Sequence, residues 1–338
     1  MQVIPNNSVG IVLDDTRILA DVCGINDYNL RILERLLGAP IHVRGNELTM
    51  ESPEQSTRDL FVSIIKQFLE AIEDGLPASP DLVTAIHSHL TPQGTAQGLA
   101  GNAGSDSNRA SSLGDLFKEA AILIPGAFCR VYPRTVNQAL YLKGLSEYDI
   151  SIAVGPAGTG KTFLAVAWAL KELLGKTRRK LVLTRPVVEA GESLGFLPGD
   201  LGQKINPYLR PLYDAMEALL PYETLKRLED SRNIEIAPLA YMRGRSLNNC
   251  VVILDEAQNT SREQMKMFLT RLGDNSTAII TGDVTQVDLP KKSDSGLLHA
   301  LSILSGIDDI FICRMDGRDV VRNPLVRKII DAYESEIG

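Results

Sequence analysis

A glycine-rich segment of eight residues constrains the fold of this chain more than any other part of its sequence. The segment is Gly155–Thr162 (GPAGTGKT), and it fits the complete pattern GxxxxGK[ST]. The apolar run Asp149–Val154 comes directly before it and predicts a strand. From Lys161 onward the apolar residues fall on one face of a helix. A strand that leads through such a loop into a helix predicts an α/β fold with a parallel sheet.

The same segment predicts a binding site for a nucleoside triphosphate. Its glycines let the backbone curl so that successive N–H groups face phosphate oxygens, and the helix adds its positive N-terminal dipole. We expect Lys161 to contact the β- and γ-phosphates and Thr162 to hold Mg²⁺. The alternative is a chance glycine-rich turn. The predicted nucleotide-binding residues are Gly155, Pro156, Ala157, Gly158, Thr159, Gly160, Lys161 and Thr162.

Two acidic residues follow a second apolar run, Cys250–Leu254. In a parallel sheet the end of such a strand lies beside the phosphate loop, which predicts that Asp255 binds Mg²⁺ through the water shell of the ion. Glu256 is then the candidate catalytic base, because a carboxylate one residue beyond the metal ligand can polarise a water molecule against the γ-phosphate. The alternative for Glu256 is a solvated acidic residue at a strand end.

A third apolar run, Thr277–Thr281, delivers further polar side chains to the same edge of the sheet. Among them Gln286 carries an amide that can donate and accept, so we expect it to sense the γ-phosphate or to orient water. Three more strands are predicted. Together with helices between the strands, they predict one doubly wound parallel sheet. These three strands are Lys180–Leu183, Ile234–Ile236 and Ile310–Cys313.

The first third of the chain predicts a separate α+β module. A helix over Asn26–Leu37, a hairpin turning at Gly45-Asn46 and a helix over Glu54–Glu73 follow one another. The predicted domains are residues 1–90, a flexible linker over residues 91–114 that is rich in Gly, Ser and Ala, and residues 115–338. The module could contact RNA as KH domains do, but it lacks their GXXG loop, so packing or oligomerisation is the alternative.

Composition excludes several classes of protein. The net charge of -7 excludes a uniformly basic nucleic-acid coat. Residues 1–125 hold 8 Lys and Arg against 16 Asp and Glu, whereas residues 126–338 hold 27 against 26. No signal peptide and no membrane span is apparent, and the four cysteines show no metal-binding spacing, which predicts a cytoplasmic protein without a membrane partner.

Seven segments of this chain carry a resemblance to a known family. They are Gly155–Thr162, Leu183–Leu201, Asn206–Met216, Ile234–Leu247, Val251–Gly273, Thr281–Pro290 and Asp319–Val326. In this order they are similar to the PhoH family, and the resemblance covers roughly residues 130–335. It implies a cytoplasmic bacterial ATPase with a core like that of superfamily 1 helicases, active in RNA metabolism. It also implies a KH-like module in front, and it suggests a YbeY-type endoribonuclease as partner and a role in ribosomal RNA maturation.

The family pattern also implies an adenine-reading residue before the phosphate loop. Pro133–Gln138 (PRTVNQ) resembles the corresponding segment of such ATPases. The amide of Gln138 can pair with the N6 donor and the N7 acceptor of adenine, which would select ATP over GTP. The alternative is an ordinary glutamine on a helix surface.

Hydrolysis also calls for positive charge on the leaving γ-phosphate, often from an arginine of another subunit. The chain has one nucleotide-binding sheet, which predicts that a neighbouring subunit completes the site in a ring-shaped homo-oligomer. Arg318 and Arg322 are the candidate fingers, and Arg185 is a candidate within the same subunit. A salt bridge is the alternative role for each.

The sequence thus predicts a Mg²⁺-dependent ATP hydrolase that remodels or unwinds RNA as an oligomer. Cations interleaved with aromatic residues could grip single-stranded RNA, or form a packed interface instead. One alternative function is a nucleotide-controlled scaffold that recruits an endoribonuclease without unwinding. Another is a kinase. The interleaved residues are Lys204, Tyr208, Arg210, Tyr213, Tyr241, Arg243 and Arg245.

Overall fold

The structure is a computed structural model, and its chain divides into two compact units. One unit holds Met1–Ala120 and Tyr132–Ala139, and the other holds Ala121–Val131 and Leu140–Gly338. Residues 92–112 of the predicted linker lie outside the described residues, and the predicted domain boundaries stay a prediction. The structure describes residues 7–13, 15–73, 78–91, 113–126, 130–186 and 201–321.

The first unit combines helices with a three-stranded antiparallel sheet. The elements are β1 (Ser8–Val12), α1 (Thr16–Cys23), α2 (Tyr28–Leu37), β2 (Ile41–Arg44), β3 (Glu47–Glu51), α3 (Gln55–Glu73), α4 (Pro80–Leu90) and α5 (Leu113–Glu119). The strand order is β1-β3-β2. The predicted hairpin is present: β2 pairs with β3, and Gly45 at the turn has a φ of 65°. Leu48 and Met50 of the hairpin and Phe61 and Phe68 of α3 are fully buried.

The second unit contains a six-stranded parallel sheet. The helix α6 (Val136–Glu147) precedes the first of its strands in the sequence. The further elements are β4 (Ile150–Val154), α7 (Lys161–Leu174), β5 (Lys180–Arg185), α8 (Leu201–Glu217), α9 (Tyr222–Asp230), β6 (Ile234–Pro238), β7 (Cys250–Leu254), α10 (Arg262–Leu269), β8 (Thr277–Gly282), α11 (Gly296–Leu304) and β9 (Ile310–Arg314). The strand order is β6-β5-β7-β8-β4-β9. All six strands predicted from apolar runs are present, so the predicted α/β fold with a parallel sheet is confirmed.

The sheet is covered by apolar side chains, and this burial fixes where its strand ends lie. Val252, Ile280 and Leu297 are fully buried in one cluster with Phe268 of α10. Because all six strands are parallel, the loops after β4, β5, β7 and β8 leave the same edge of the sheet. The functional residues follow these strands. Among the described helices, none is both long and apolar enough to cross a membrane.

Phe268→Ala tests whether this cluster stabilises the second unit. The Phe268 side chain has no exposed surface, so its truncation leaves a cavity beneath the sheet. We expect the free energy of unfolding to fall by about 3–5 kcal/mol, measured by urea denaturation. Ile303→Ala is the matched control, because Ile303 lies on α11 and is 58% exposed. Equal stability of the two variants would contradict the assignment of Phe268 to the core.

Candidate functional site

The loop between β4 and α7 needs glycine for steric reasons. Gly158 and Gly160 have φ values of 84° and 82°, a region that other residues rarely adopt. At Gly155 a Cβ atom would stand 2.5 Å from the backbone oxygen of Met315. The Gly158 carbonyl accepts a hydrogen bond of 2.9 Å from the N–H of Val321. The loop is therefore held against the segment that follows β9.

The ammonium of Lys161 is folded back onto this loop. Its Nζ donates to the carbonyl oxygens of Gly155 at 2.7 Å and Pro156 at 2.8 Å, and to Thr159 Oγ1 at 3.3 Å. Burial lowers the pKa of the Lys161 ammonium, while the nearby Asp283 carboxylate makes the largest of the opposing, raising contributions. A phosphate group would replace neutral carbonyl acceptors by anionic ones, which hold an ammonium more strongly.

Thr162 and Asp255, which are 93 positions apart in the sequence, are in direct contact. The hydroxyl of Thr162 donates to Asp255 Oδ1 at 2.6 Å, and the hydroxyl of Thr281 donates to the same oxygen at 2.7 Å. Asp255 and Thr281 are buried. The two predicted metal ligands thus lie together, and Thr281, which the sequence did not single out, fixes the orientation of the carboxylate.

Glu256 is held by two donors, one on each carboxylate oxygen. Arg185 Nη2 lies 3.0 Å from Glu256 Oε1, and Gln258 Nε2 donates to Glu256 Oε2 at 2.5 Å. The backbone of Glu256 has a φ of 53°, a left-handed conformation that costs a non-glycine residue on the order of 1 kcal/mol. Such strain commonly occurs where a side chain must be aimed at a site.

A cavity of about 250 Å³ joins these groups. Gln286 lines the cavity and is exposed, and its contact with the γ-phosphate stays a prediction, whereas Asp283 is only 5% exposed. From this loop the sequence pattern predicts only Gln286 as a site residue, and Asp283 is a further one that the pattern does not mark. The residues that line the cavity are Ala157, Gly158, Gly160, Lys161, Thr162, Phe163, Asp255, Glu256, Gly282, Asp283 and Gln286.

One buried atom indicates that the cavity suits a phosphate-bound cation. Asp283 Oδ1 accepts from the N–H and the hydroxyl of Thr285, but Asp283 Oδ2 is buried without a hydrogen-bond partner. A hydrated Mg²⁺ ion carries water molecules that could donate to this oxygen. Among the described residues no group of three or more His, Cys or acidic side chains could hold a metal ion alone. Thr162 and Asp255 therefore fit a cation that takes its other ligands from phosphate and water.

Asp283→Asn tests this interpretation. The variant keeps the side-chain oxygen that Thr285 needs and removes the negative charge beside Lys161. We expect Mg²⁺ to tighten ADP binding less than in the wild type, with about a tenfold loss of the Mg²⁺ effect, because a hydrogen bond to a charged group contributes about 1.5 kcal/mol or more. Titration calorimetry with and without Mg²⁺ measures this. Asp288→Asn, an exposed position in the same loop, is the control. An unchanged Mg²⁺ effect in Asp283→Asn would contradict the interpretation.

Gln138 is buried within α6 rather than exposed on a helix surface. Its Oε1 accepts a hydrogen bond of 2.7 Å from the N–H of Arg134, and only 4% of the residue is exposed. The alternative reading, an ordinary surface glutamine, is therefore wrong. Its role in reading adenine stays a prediction.

The three candidate arginines differ in their surroundings. Arg318 is exposed and forms an ion pair of 2.6 Å with Asp316. It is not among the described residues that line the cavity. Arg322 lies outside the described residues. Arg185 contacts Glu256 and therefore lies at the site. Which arginine completes the site in an oligomer stays a prediction.

The interleaved cations and aromatic residues are partly neutralised. Arg210 pairs with Asp214 and Glu217, and Arg245 pairs with Glu235. Tyr241 and Arg243 are exposed, Tyr208 and Tyr213 are half-buried, and the side chain of Lys204 lies outside the described part of the chain. Two of the predicted RNA-contacting guanidinium groups are thus already bound to carboxylates.

Comparison with known proteins finds relatives over most of this chain. The family described as PhoH-like protein matches residues 130–334. A PhoH-like protein from Mycobacterium leprae is 44% identical over 316 residues, which cover 94% of this chain and 85% of that protein. One from Bacillus subtilis is 43% identical over 315 residues, which cover 93% of each.

This chain belongs to the PhoH-like family. The family match spans all residues that line the cavity, so the second unit is a P-loop nucleotide-binding fold. Among solved structures, the Pif1 helicase from Candida albicans matches 58% of this chain and 42% of that chain at 16% identity. Its TM-score of 0.28 is too low to support a conclusion.

Gln258 is a further residue of this PhoH-like site that sequence reasoning missed. It is 1% exposed, and besides its bond to Glu256 it accepts a hydrogen bond of 3.0 Å from the N–H of Asp283 through Oε1. The amide thus links the residues after β7 to those after β8. No distinct signal marks Gln258 in the sequence, because the charged residues Asp255 and Glu256 already end the apolar run before it.

Proposed function

We propose that this PhoH-like protein is a Mg²⁺-dependent ATP hydrolase that acts on RNA as a cytoplasmic homo-oligomer. One observation supports the hydrolase above all. A single cavity brings together a phosphate loop with its lysine, a hydroxyl–carboxylate pair suited to Mg²⁺, and a fixed second carboxylate. These are the parts that nucleoside triphosphate hydrolysis requires.

The phosphate loop binds and orients the triphosphate. Its N–H groups face the phosphate oxygens, and Lys161 leaves the carbonyl oxygens of Gly155 and Pro156 to contact the β- and γ-phosphates. Thr162 and Asp255 would hold Mg²⁺, which when bound would neutralise charge on the phosphates. When nucleotide binds, Lys161 gives up its hydrogen bonds to these two carbonyl oxygens, so the conformation of the loop depends on whether nucleotide is bound.

Glu256 receives the proton of the attacking water molecule. Each of its carboxylate oxygens accepts one donor within the protein, so each retains acceptor capacity for water. Gln286, at the rim of the cavity, orients this water or contacts the γ-phosphate. Asp283 Oδ2 is a further buried acceptor that can order water in the same cavity.

Product analysis tests the proposed reaction. With γ-labelled ATP and Mg²⁺ we expect the label in inorganic phosphate, and we expect EDTA to stop its release. If Gln138 reads adenine, GTP is turned over more slowly than ATP. Label on a protein or small molecule instead of inorganic phosphate would show a kinase and contradict the proposal.

The role in RNA metabolism and the oligomer need their own measurements. Single-stranded RNA that raises the ATP turnover rate, and binding that weakens as salt rises, would support the RNA role. Sedimentation measures whether the chain forms the proposed ring, in which Arg318 or Arg322 reaches the next subunit. A chain that stays monomeric with nucleotide and RNA would contradict the ring.

A second candidate function is a nucleotide-controlled scaffold that recruits a YbeY-type endoribonuclease. One observation favours it: Arg210 and Arg245 are already paired with carboxylates, which leaves fewer free cations for RNA phosphates. Nucleotide-dependent binding of the nuclease, with no stimulation by RNA and no strand separation, would favour the scaffold over the motor.

A further inference from the structure

Arg185, the last residue of β5, contacts two separate parts of the second unit. Its Nη2 atom lies 3.0 Å from Glu256 Oε1, after strand β7. Its Nη1 atom donates a hydrogen bond of 3.0 Å to the backbone oxygen of Tyr208, in helix α8. The guanidinium group is planar and rigid, so these two contacts fix its position relative to both elements.

The contact with Glu256 is partly shielded from water. The side chain of Arg185 is 20% exposed and that of Glu256 is 35% exposed. Gln258, which is buried, holds the opposite carboxylate oxygen. The Glu256 carboxylate therefore lies between Gln258, which belongs to the same loop, and Arg185, which also contacts α8.

Helix α8 is anchored on one face and exposed on the other. Leu209, Leu212 and Met216 are buried, whereas Arg210 and Asp214 are exposed. A ligand that binds the exposed face can shift or order the helix. Because Tyr208 is in this helix, such a change reaches the Arg185 guanidinium directly.

We propose that Arg185 is a positioning residue that couples helix α8 to the Glu256 carboxylate. This rests on the proposed function, in which Glu256 acts on the attacking water. Arg185 keeps the carboxylate turned toward the cavity when α8 is in place. Coupling between two sites is reciprocal for binding, so nucleotide in the cavity also changes the stability of α8.

The first test is steady-state ATP hydrolysis by Arg185→Ala. We expect kcat to fall by about 10- to 100-fold, because a misdirected base loses most of its effect, while KM for ATP stays within about twofold. We expect Arg185→Lys to recover part of kcat, because an ammonium can hold Glu256 but cannot form the planar pair of contacts. Arg227→Ala, an exposed arginine on α9, is the control and keeps wild-type kinetics.

Two kinetic outcomes would overturn the positioning role. If KM rises with kcat unchanged, Arg185 binds substrate rather than positioning Glu256. If Arg185→Ala has wild-type kcat, the contact has no catalytic consequence. Thermal unfolding of each variant separates these outcomes from a loss of folded protein.

The second test measures the coupling without catalysis, by amide hydrogen exchange of the full chain with and without Mg²⁺ and ADP. We expect ADP to protect the loop peptide 155–162 in the wild type, in Arg185→Ala and in Arg227→Ala. We expect it to change the exchange of α8 (Leu201–Glu217) in the wild type and in Arg227→Ala, but not in Arg185→Ala. The same change in Arg185→Ala, or no change at α8 in the wild type, would overturn the coupling. Absence of protection at 155–162 in the wild type would instead contradict the proposed nucleotide site.

Discussion

We expect Lys161→Ala to lose nucleotide binding and ATP turnover together. The ammonium is the one cationic group among the described residues that line the cavity, and three acceptors of the loop hold it there. Loss of one preorganised charged donor costs about 3 kcal/mol or more in the transition state, which lowers kcat/KM by about 10²–10³-fold. Calorimetry with ADP and phosphate release from ATP measure the two effects.

Lys171→Ala is the matched control for this substitution. Lys171 lies on the same helix, α7, in its last turn, and its 42% exposed side chain pairs with Glu172. We expect this variant to bind and hydrolyse nucleotide as the wild type does. If Lys161→Ala retained wild-type affinity for ADP, the cavity would not be the nucleotide site.

The phosphate site could be predicted from sequence because its residues follow directly after buried strands. A strand that is buried on both faces is a continuous apolar run, and the residue after it must reach the edge of the sheet. This placed Asp255 beside Thr162, and the structure shows their oxygens 2.6 Å apart. The same reasoning predicted all six strands of this sheet, within two residues of their ends.

Contacts that depend on the order of strands could not be predicted in this way. Arg185 reaches Glu256 because β5 and β7 are neighbours in the sheet, although β6 lies between them in the sequence. No local pattern states this order. Asp283 was overlooked for a related reason, since only the turn after β8 decides which polar side chain is buried and which is exposed.

The first unit was predicted less completely. The hairpin followed from Gly45-Asn46, but the first strand, β1, was missed. Its sequence, SVGIV, contains a glycine, and its Val12 is 63% exposed, so the strand lacks a clear alternation of apolar and polar residues. It forms because it pairs with β3 along five residues, a contact of long sequence separation that the pattern does not contain.

We expect Glu256→Gln to separate nucleotide binding from hydrolysis. The amide has the size of the carboxylate and keeps one oxygen acceptor, so Arg185 or Gln258 can still hold it. It cannot take a proton from water, and loss of a general base lowers kcat by about 10²–10⁴-fold. The loop that binds phosphate is unchanged, so the affinity for ADP and for ATP stays within about twofold of the wild type.

Single-turnover phosphate release and equilibrium binding of ATP distinguish the two effects of Glu256→Gln. Glu147→Gln is the control, because Glu147 is exposed and pairs only weakly with Lys143 at 3.9 Å. If Glu256→Gln hydrolysed ATP at the wild-type rate, the base would be another carboxylate of the cavity, and Asp283, with its unpaired buried oxygen, would be the next to replace. If ATP binding were lost as well, Glu256 would contribute to phosphate binding instead. If Glu256 is the base that Arg185 and Gln258 hold in place, Glu256→Gln binds ATP as the wild type does but does not hydrolyse it.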